Sequence, residues 1–226
     1  MPESIIISLG GSLIVPDEID IEFLQSFKSL ILKEMERGKR FVLITGGGKT
    51  SRKYTEAAKN LVMPTNDDLD WIGIGATRLN AELIRVLLGE FAHSSIVMDP
   101  NTIPPTDKPV MVGGGWKPGN SSDLAAVQAA LATGSKKIIN LSNTDYVYDS
   151  DPKLNPEAKK IEQLSWKEYK GLVPAEWKPG SNYPFDPIAA KVAEENSLTV
   201  IIMNGKPIEN LAKFLRGEKF QGTIIT

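Results

Sequence analysis

Apolar residues follow two rhythms along this 226-residue chain. Short continuous runs rich in Ile and Val predict strands buried on both faces: residues 5–9, 41–45, 95–98, 110–112, 137–141 and 199–203. A short strand is expected over 146–148 and an edge strand over 223–225. Between these runs, apolar residues recur every three to four positions, as one face of a helix requires. The segment 21–37 carries Phe23, Leu24, Phe27, Leu30, Ile31 and Met35 in that spacing, with Gly38 as its stop. Further helices are predicted over 49–61, 69–88, 121–132, 188–195 and 208–215. Ser121, Ser122 and Asp123 mark the start of the Ala-rich one. Regular alternation of the two rhythms predicts an α/β sandwich around a largely parallel sheet. No Pro/Ser/Gly-rich linker divides the chain, which is therefore expected to form one domain with two lobes, about 1–120 and 121–226.

Composition narrows the chemistry. The chain has no Cys and one His, His93, so thiol nucleophiles, Cys-ligated zinc and multi-His metal sites are excluded. Its 26 Lys+Arg against 28 Asp+Glu give a net charge of −2, which argues against nucleic acid as a partner. The start, Met-Pro-Glu-Ser followed by a run broken by Ser8 and Gly10-Gly11, does not read as a signal peptide. No apolar stretch approaches the ~20 residues that span a bilayer, so a cytoplasmic protein without membrane contact is expected.

Three glycine clusters stand directly after predicted strands: Gly10-Gly11, Gly46-Gly47-Gly48 and Gly113-Gly114-Gly115. Strand ends of a parallel sheet share one edge, where ligands bind. Glycine there lets backbone N–H groups approach an anion, and the following helix N-terminus adds a favourable dipole. The pattern points to phosphate or nucleotide. Thr45-Gly-Gly-Gly-Lys49-Thr50 is not a P-loop, because the position five before Gly48 is Leu43. No dinucleotide fingerprint follows the first strand either. Trp116-Lys-Pro-Gly and Trp177-Lys-Pro-Gly echo each other, but four residues support only two similar loops.

Taken in order, Ser8-Leu-Gly-Gly-Ser12, the stretch from Thr45 to Tyr54, Thr77-Arg-Leu-Asn-Ala81, the stretch from Gly113 to Asp123, the stretch from Ser142 to Pro152 and Asp186-Pro-Ile-Ala-Ala-Lys191 resemble the amino-acid kinase superfamily. Within it they are most similar to the archaeal-type uridylate kinase family. The resemblance covers nearly the whole length. It implies a three-layer α/β/α sandwich with a mainly parallel sheet, an N-terminal acceptor lobe, a C-terminal ATP lobe and hexamers built from dimers. It also implies phosphoryl transfer from ATP to UMP with Mg2+.

The same resemblance distributes roles. Gly10, Gly11 and Ser12 would cradle ATP phosphates, and Asn143, Thr144, Asp145, Tyr148 and Asp151 belong to its adenine and ribose segment. Gly46, Gly47, Arg52, Asp70, Gly114, Ser121 and Ser122 fall on the UMP side, with Arg52 on the phosphate and Asp70 on the ribose. The planar fork of arginine suits a phosphate. Asp123 matches the organising aspartate, or is a helix-start carboxylate favoured by the dipole. Asp186 is a magnesium ligand or a helix cap. Arg78 and Asn80 either touch ligand or pack the helix. Tyr146 stands where the pattern has glycine and is expected to pack beneath the loop.

One departure stands out. Many members carry lysine two residues before the first glycine pair, where this chain has Ser8. A hydroxyl cannot screen the charge of phosphoryl transfer, so Lys49, Lys117, Lys178 or magnesium is expected to do so, with Lys117 and Lys178 placed in the two Trp-Lys-Pro-Gly loops. Two other readings stay open at this stage. One is another small-molecule kinase of this fold, such as isopentenyl-phosphate kinase, although Lys49-Thr50-Ser51 follows the glycine run where that enzyme carries histidine. The other is a nucleotide- or oxyanion-binding storage or sensor protein without turnover.

Overall fold

The computed structural model describes residues 4–152, 154–173 and 183–226. Five parallel strands make the body of one sheet: β1 (Ser4–Leu9), β2 (Arg40–Thr45), β3 (Val110–Gly113), β4 (Lys137–Ser142) and, later in the chain, Thr199–Asn204. Between β1 and β3 come α1 (Gly11–Ile14), α2 (Ile21–Glu36), α3 (Gly48–Leu61) and α4 (Asn66–Leu88). Helix α5 (Ser122–Thr133) precedes β4. A two-stranded ribbon follows, β5 (Val147–Tyr148) antiparallel to β6 (Lys160–Ile161). Then come β7 (Gln163–Leu164), α6 (Trp166–Leu172), α7 (Pro187–Glu195), β8 (Thr199–Asn204), α8 (Ile208–Leu215) and β9 (Thr223–Ile225).

The strand order is β3-β2-β1-β4-β8-β9-β7, with β9 antiparallel to β8 and β7 parallel to β9. Both faces of the sheet are covered, which is why its strands read as unbroken apolar runs. Side chains at even positions, among them Ile6, Val42, Ile44, Ile138 and Ile202, bury against α5, α6 and α7. Odd positions of β1, β2, β4 and β8, among them Ile7, Leu43, Ile139 and Ile201, together with Val110 and Val112 of β3, bury against α1, α2, α4 and α8. The result is the expected three-layer α/β/α sandwich.

The expected strand over 95–98 does not form. Only Val97 bridges to the β3 edge, exchanging backbone hydrogen bonds with Val112 and Gly114, before the chain turns at Asp99-Pro100. Proline cannot extend that pairing because it has no N–H. The long helix α4 starts three residues earlier than expected, because Thr65 and Asp68 form a capping box ahead of the apolar periodicity. No helix among the described residues is long and apolar enough to cross a membrane.

The C-terminal ends of β1, β2, β3, β4 and β8 all lie on one edge. The chain runs outward from β1 through β2 to β3, then returns to place β4 on the other side of β1. A crevice opens where strand order reverses in this way.

Candidate active site

Two of the glycine clusters are packed against each other. A Cβ on Gly46 would fall 2.6 Å from the Gly11 nitrogen, and one on Gly11 would fall 2.6 Å from the Gly46 carbonyl carbon. Gly48 holds φ +62°, a left-handed conformation that disfavours side chains. The loops after β1 and β2 thus meet backbone to backbone and form one glycine floor. Gly10 is tied by its N–H to the Leu141 carbonyl at 2.7 Å, which adds the end of β4 to that floor. The third cluster is held from α4. Thr77 Oγ1 accepts the Gly115 N–H at 2.7 Å, and Arg78 donates to the carbonyls of Gly115 and Trp116 at 3.1 and 3.0 Å. Asn80 Nδ2 donates to the Gly46 carbonyl at 2.8 Å. Arg78 and Asn80 thus anchor the glycine loops to α4.

Above this floor lie three cavities in a line. The middle crevice, about 550 Å3, is lined by Ser8, the glycines of the first two loops, Ser12, Asp123 and Asn140, among others. On one side, Arg52 and Ser122 also line a cavity of about 230 Å3 between α3, α4 and the 115–122 loop, where Thr55, Asp70 and Ser121 lie. On the other side, Asn143, Thr144, Tyr183 and Pro184 also line a cavity of about 400 Å3 that contains Tyr148 and Asp151. Shared wall residues set the middle crevice between the other two cavities along the sheet edge.

Asp123 sits at the centre. It is the second residue of α5, whose N-cap Ser121 accepts the Leu124 N–H at 3.1 Å. Its Oδ1 accepts from Ser8 Oγ at 3.0 Å and from Asn140 Nδ2 at 3.1 Å, and its Oδ2 accepts the Asp186 N–H at 3.1 Å. Ser8 and Asn140 are register partners on β1 and β4 and point to the face that α5 covers. Burial pushes the Asp123 carboxyl up to about 6, against the pull of those hydrogen bonds and with the neighbouring Asp186 charge adding to the rise. Asp186 caps α7 through Ala189 N at 2.7 Å, and burial raises its carboxyl as well. Of the two roles expected for Asp186, the cap is the one its geometry displays.

The remaining expected site residues are distributed as follows. Asp70 lines the first cavity, and its Oδ2 accepts the Gly119 N–H at 2.7 Å, tying the loop across the opening. Gly114 packs on the Arg78 backbone, while Gly115 faces the cavity. Asp145 is exposed outside the third cavity and accepts from Asn204 Nδ2 at 2.9 Å. Lys49 pairs with Asp17 at 3.5 Å. Lys117 holds its ammonium 4.0 Å from the Trp116 ring centroid and lines none of the three cavities. Lys178 and its Trp-Lys-Pro-Gly loop lie outside the described residues. Tyr146 does not pack beneath its loop but lines the third cavity.

Sequence reasoning missed Asn140, the Asp186 amide and the Thr77 hydroxyl. Asn140 left a trace, since it interrupts an apolar strand one residue before its end in register with Ser8. The other two depend on tertiary contacts.

Comparisons with known proteins agree with this geometry. A family model described as "Amino acid kinase family" matches residues 3–204. A uridylate kinase of Thermococcus onnurineus is 33% identical, with 98% of each chain covered. One from Thermoplasma acidophilum is 33% identical over 100% of this chain and 97% of its own. The crystal structure of uridylate kinase from Archaeoglobus fulgidus superposes with TM-score 0.82 at 30% identity, over 99% of this chain and 100% of that one. A UMP kinase from Bacillus anthracis, 20% identical with TM-score 0.78, shares the fold over 99% of this chain and 96% of its own.

Proposed function

The chain belongs to the amino acid kinase family, and from that premise we propose that it transfers the γ-phosphoryl group of ATP to UMP, giving UDP and ADP. The observation that carries this reading is the row of three adjoining cavities, with Arg52 at one junction and Asp123 in the middle one. In this reading two nucleotides lie end to end with their phosphates meeting over the glycine floor.

UMP occupies the cavity between α3 and α4. Arg52 takes its phosphate, Asp70 its ribose, and Ser121, Ser122 and the loop from Gly114 close over it. ATP occupies the other side, with its phosphates over Gly10, Gly11 and Ser12 and its nucleoside among Asn143, Thr144, Tyr148 and Asp151, with Asp145 outside the cavity wall. The N-terminal lobe, about 1–120, serves the acceptor and the C-terminal lobe, about 121–226, serves ATP. Gly46 and Gly47 bring backbone to the point of transfer. A phosphate monoester is largely dianionic near neutral pH, with its second pKa near 6, so no general base is needed. An acceptor oxygen forms the new bond to γ-phosphorus while the β–γ bridging oxygen leaves with ADP. Catalysis then consists of positioning and charge neutralisation.

Among the described residues no group of three or more His, Cys, Asp or Glu could hold a metal ion. The donor set fits Mg2+ brought in on nucleotide phosphates, since magnesium is usually held by one or two carboxylates plus phosphate oxygens. Asp123, facing the crevice, is the carboxylate that would hold it, and the ion would supply charge neutralisation. Lys117 and Lys178 are the protein cations proposed to add to that screening. For Lys117 this requires leaving the Trp116 ring. If Lys117→Ala and Lys178→Ala both retain full kcat/KM, neither lysine has that role.

Self-association is proposed through α4, where Trp71, Leu79 and Val86 are exposed. The hexamer implied by the family likeness is checked by sedimentation.

A coupled ADP-release assay tests the reaction with UMP, CMP, isopentenyl phosphate or no acceptor. UMP-dependent release at a kcat/KM well above the others is expected. Nucleotide binding without turnover would point to storage or sensing instead.

A further inference from the structure

The two-stranded ribbon of β5 and β6 presents an aromatic face to the third cavity. Val147 pairs with Ile161 and Tyr148 with Lys160. Successive side chains on a strand point to opposite faces. Val147 is 2% exposed and belongs to the core. Tyr146 and Tyr148 therefore share the other face, and both line the cavity. Their rings meet edge to face, 6.4 Å between centroids at 84°. Lys160, on the same face of the ribbon, holds its ammonium 4.8 Å from the Tyr146 centroid and is itself steadied by Glu162 at 2.9 Å. The Tyr146 ring is thus flanked by the Lys160 ammonium and by the perpendicular Tyr148 ring. Both rings line the cavity, where a planar ligand would meet them.

We propose that Tyr146 is a specificity-determining residue of the donor site, a platform on which the purine base of ATP stacks, with Lys160 fixing the ring from behind. This rests on the reading of the third cavity as the nucleoside end of ATP. Stacking of a base on an aromatic side chain depends on ring area rather than on a hydrogen-bond pattern. The platform therefore acts on the base and leaves the phosphates to the glycine floor. Tyr146 is half-buried, and among the described residues its ring contacts are with Tyr148 and Lys160, so replacing it removes a ligand surface and spares the sheet core.

The test is calorimetric titration of the full chain with ATP and, separately, with inorganic tripolyphosphate. Tyr146→Leu is expected to weaken ATP about tenfold, and Tyr146→Phe to stay within about twofold of the wild type. Tripolyphosphate affinity stays within about twofold in both. Lys160→Met, an exposed change that leaves the fold intact, is expected to weaken ATP a fewfold with tripolyphosphate unaffected. The proposal is overturned if Tyr146→Leu leaves ATP affinity within twofold, or if either variant weakens tripolyphosphate as much as ATP. Neither titration needs turnover. Failure of the UMP reaction in the wild type, read by ADP release, is therefore distinguishable from failure of the platform.

Discussion

The hydroxyl of Ser8 donates to Asp123 Oδ1 at 3.0 Å, joining the end of β1 to the start of α5 across 115 positions. With Asn140 and the Asp186 amide, it gives the carboxylate three neutral donors and, among the described residues, no cation. Neutral donors offset only part of the cost of burying a charge, so the carboxyl titrates at about 6. The role proposed for Asp123 needs the ionised form, and kcat/KM is expected to fall below about pH 6. Ser8→Ala removes a donor to that form and moves the acid limb to higher pH. Ser8→Lys puts a cation beside it and moves the limb to lower pH. Profiles of kcat/KM from pH 5 to 9 for the three proteins check this, and an identical midpoint in all three would break the link between Ser8 and Asp123.

The same titration bears on stability. An unfolded Asp ionises near pH 3.9, whereas Asp123 does so at about 6 in the folded chain. Between those values the native state binds more protons, so this group's contribution falls as pH rises, and above about 6 the whole penalty is present. The difference amounts to ~1–3 kcal/mol. Asp123→Asn cannot titrate and lacks this descent, whatever constant offset its altered hydrogen bonding brings. Urea midpoints of both proteins at pH 4, 5, 6 and 7 measure the difference in slope, and parallel curves would remove Asp123 as the cause.

The sheet was legible in the sequence because its strands are buried on both sides and read as unbroken apolar runs. Residues 95–98 look the same, yet pair only through Val97. An apolar run reports burial and does not say whether a neighbour is in reach for pairing. The ribbon strands and β7 have two residues each, too short for any rhythm. At the site, the glycine loops were legible as an edge, but the reason for glycine at Gly11, Gly46 and Gly48 was not. It lies in contact between two loops, which only the β1–β2 register brings about. Asn140 became interpretable only once that strand lay beside Ser8.

Arg52 lines both the α3–α4 cavity and the middle crevice, and no ion pair holds it among the described residues. In the proposed arrangement a guanidinium there would meet the acceptor phosphate rather than the donor base. Hydrogen bonds to a charged group contribute ~1.5–3 kcal/mol, so Arg52→Ala should raise the KM for UMP by about one to two orders of magnitude. The KM for ATP should stay within about threefold. Arg52→Lys restores the charge without the bidentate fork and should fall between the two. Initial rates with each substrate varied in turn decide it, and an equal rise in both KM values would place Arg52 elsewhere in the reaction.

Asp70 already has a partner before any ribose arrives, since its Oδ2 accepts the Gly119 N–H at 2.7 Å. Gly119 adopts φ +77°, and a side chain there would meet nothing within 4 Å, so the tether holds an open turn rather than a packed one. The 115 end of this loop is fixed by Thr77 and Arg78, and Ser121 caps α5 at the other. Removing Asp70 should therefore free the turn between these anchors. Asp70→Ala is expected to speed amide exchange over 117–120 at least tenfold and to raise the KM for UMP, with exchange in β1 and β2 unchanged. Hydrogen exchange by mass spectrometry reads both regions, and unaltered exchange at 117–120 would refute the tether.

Gly11 tests whether the glycine floor is structural before it is a ligand cradle. A Cβ at this position meets the Gly46 carbonyl carbon and oxygen at 2.6 and 2.7 Å, and both are backbone atoms that cannot rotate away. To admit a methyl group, the β1 and β2 loops must separate, although parallel pairing of the two strands holds them through Leu9 and Thr45. Overpacking of a tight contact costs ~1–3 kcal/mol, and here the strain falls on two loops at once, so Gly11→Ala should sit at or above the top of that range. Gly38 is the control: a Cβ there meets nothing within 4 Å, but φ is +83°, so Gly38→Ala carries only the backbone penalty. Urea denaturation of both variants without ligand should therefore find Gly11→Ala the less stable. The opposite order would mean that the loops can part freely and that glycine at this position answers to phosphate alone.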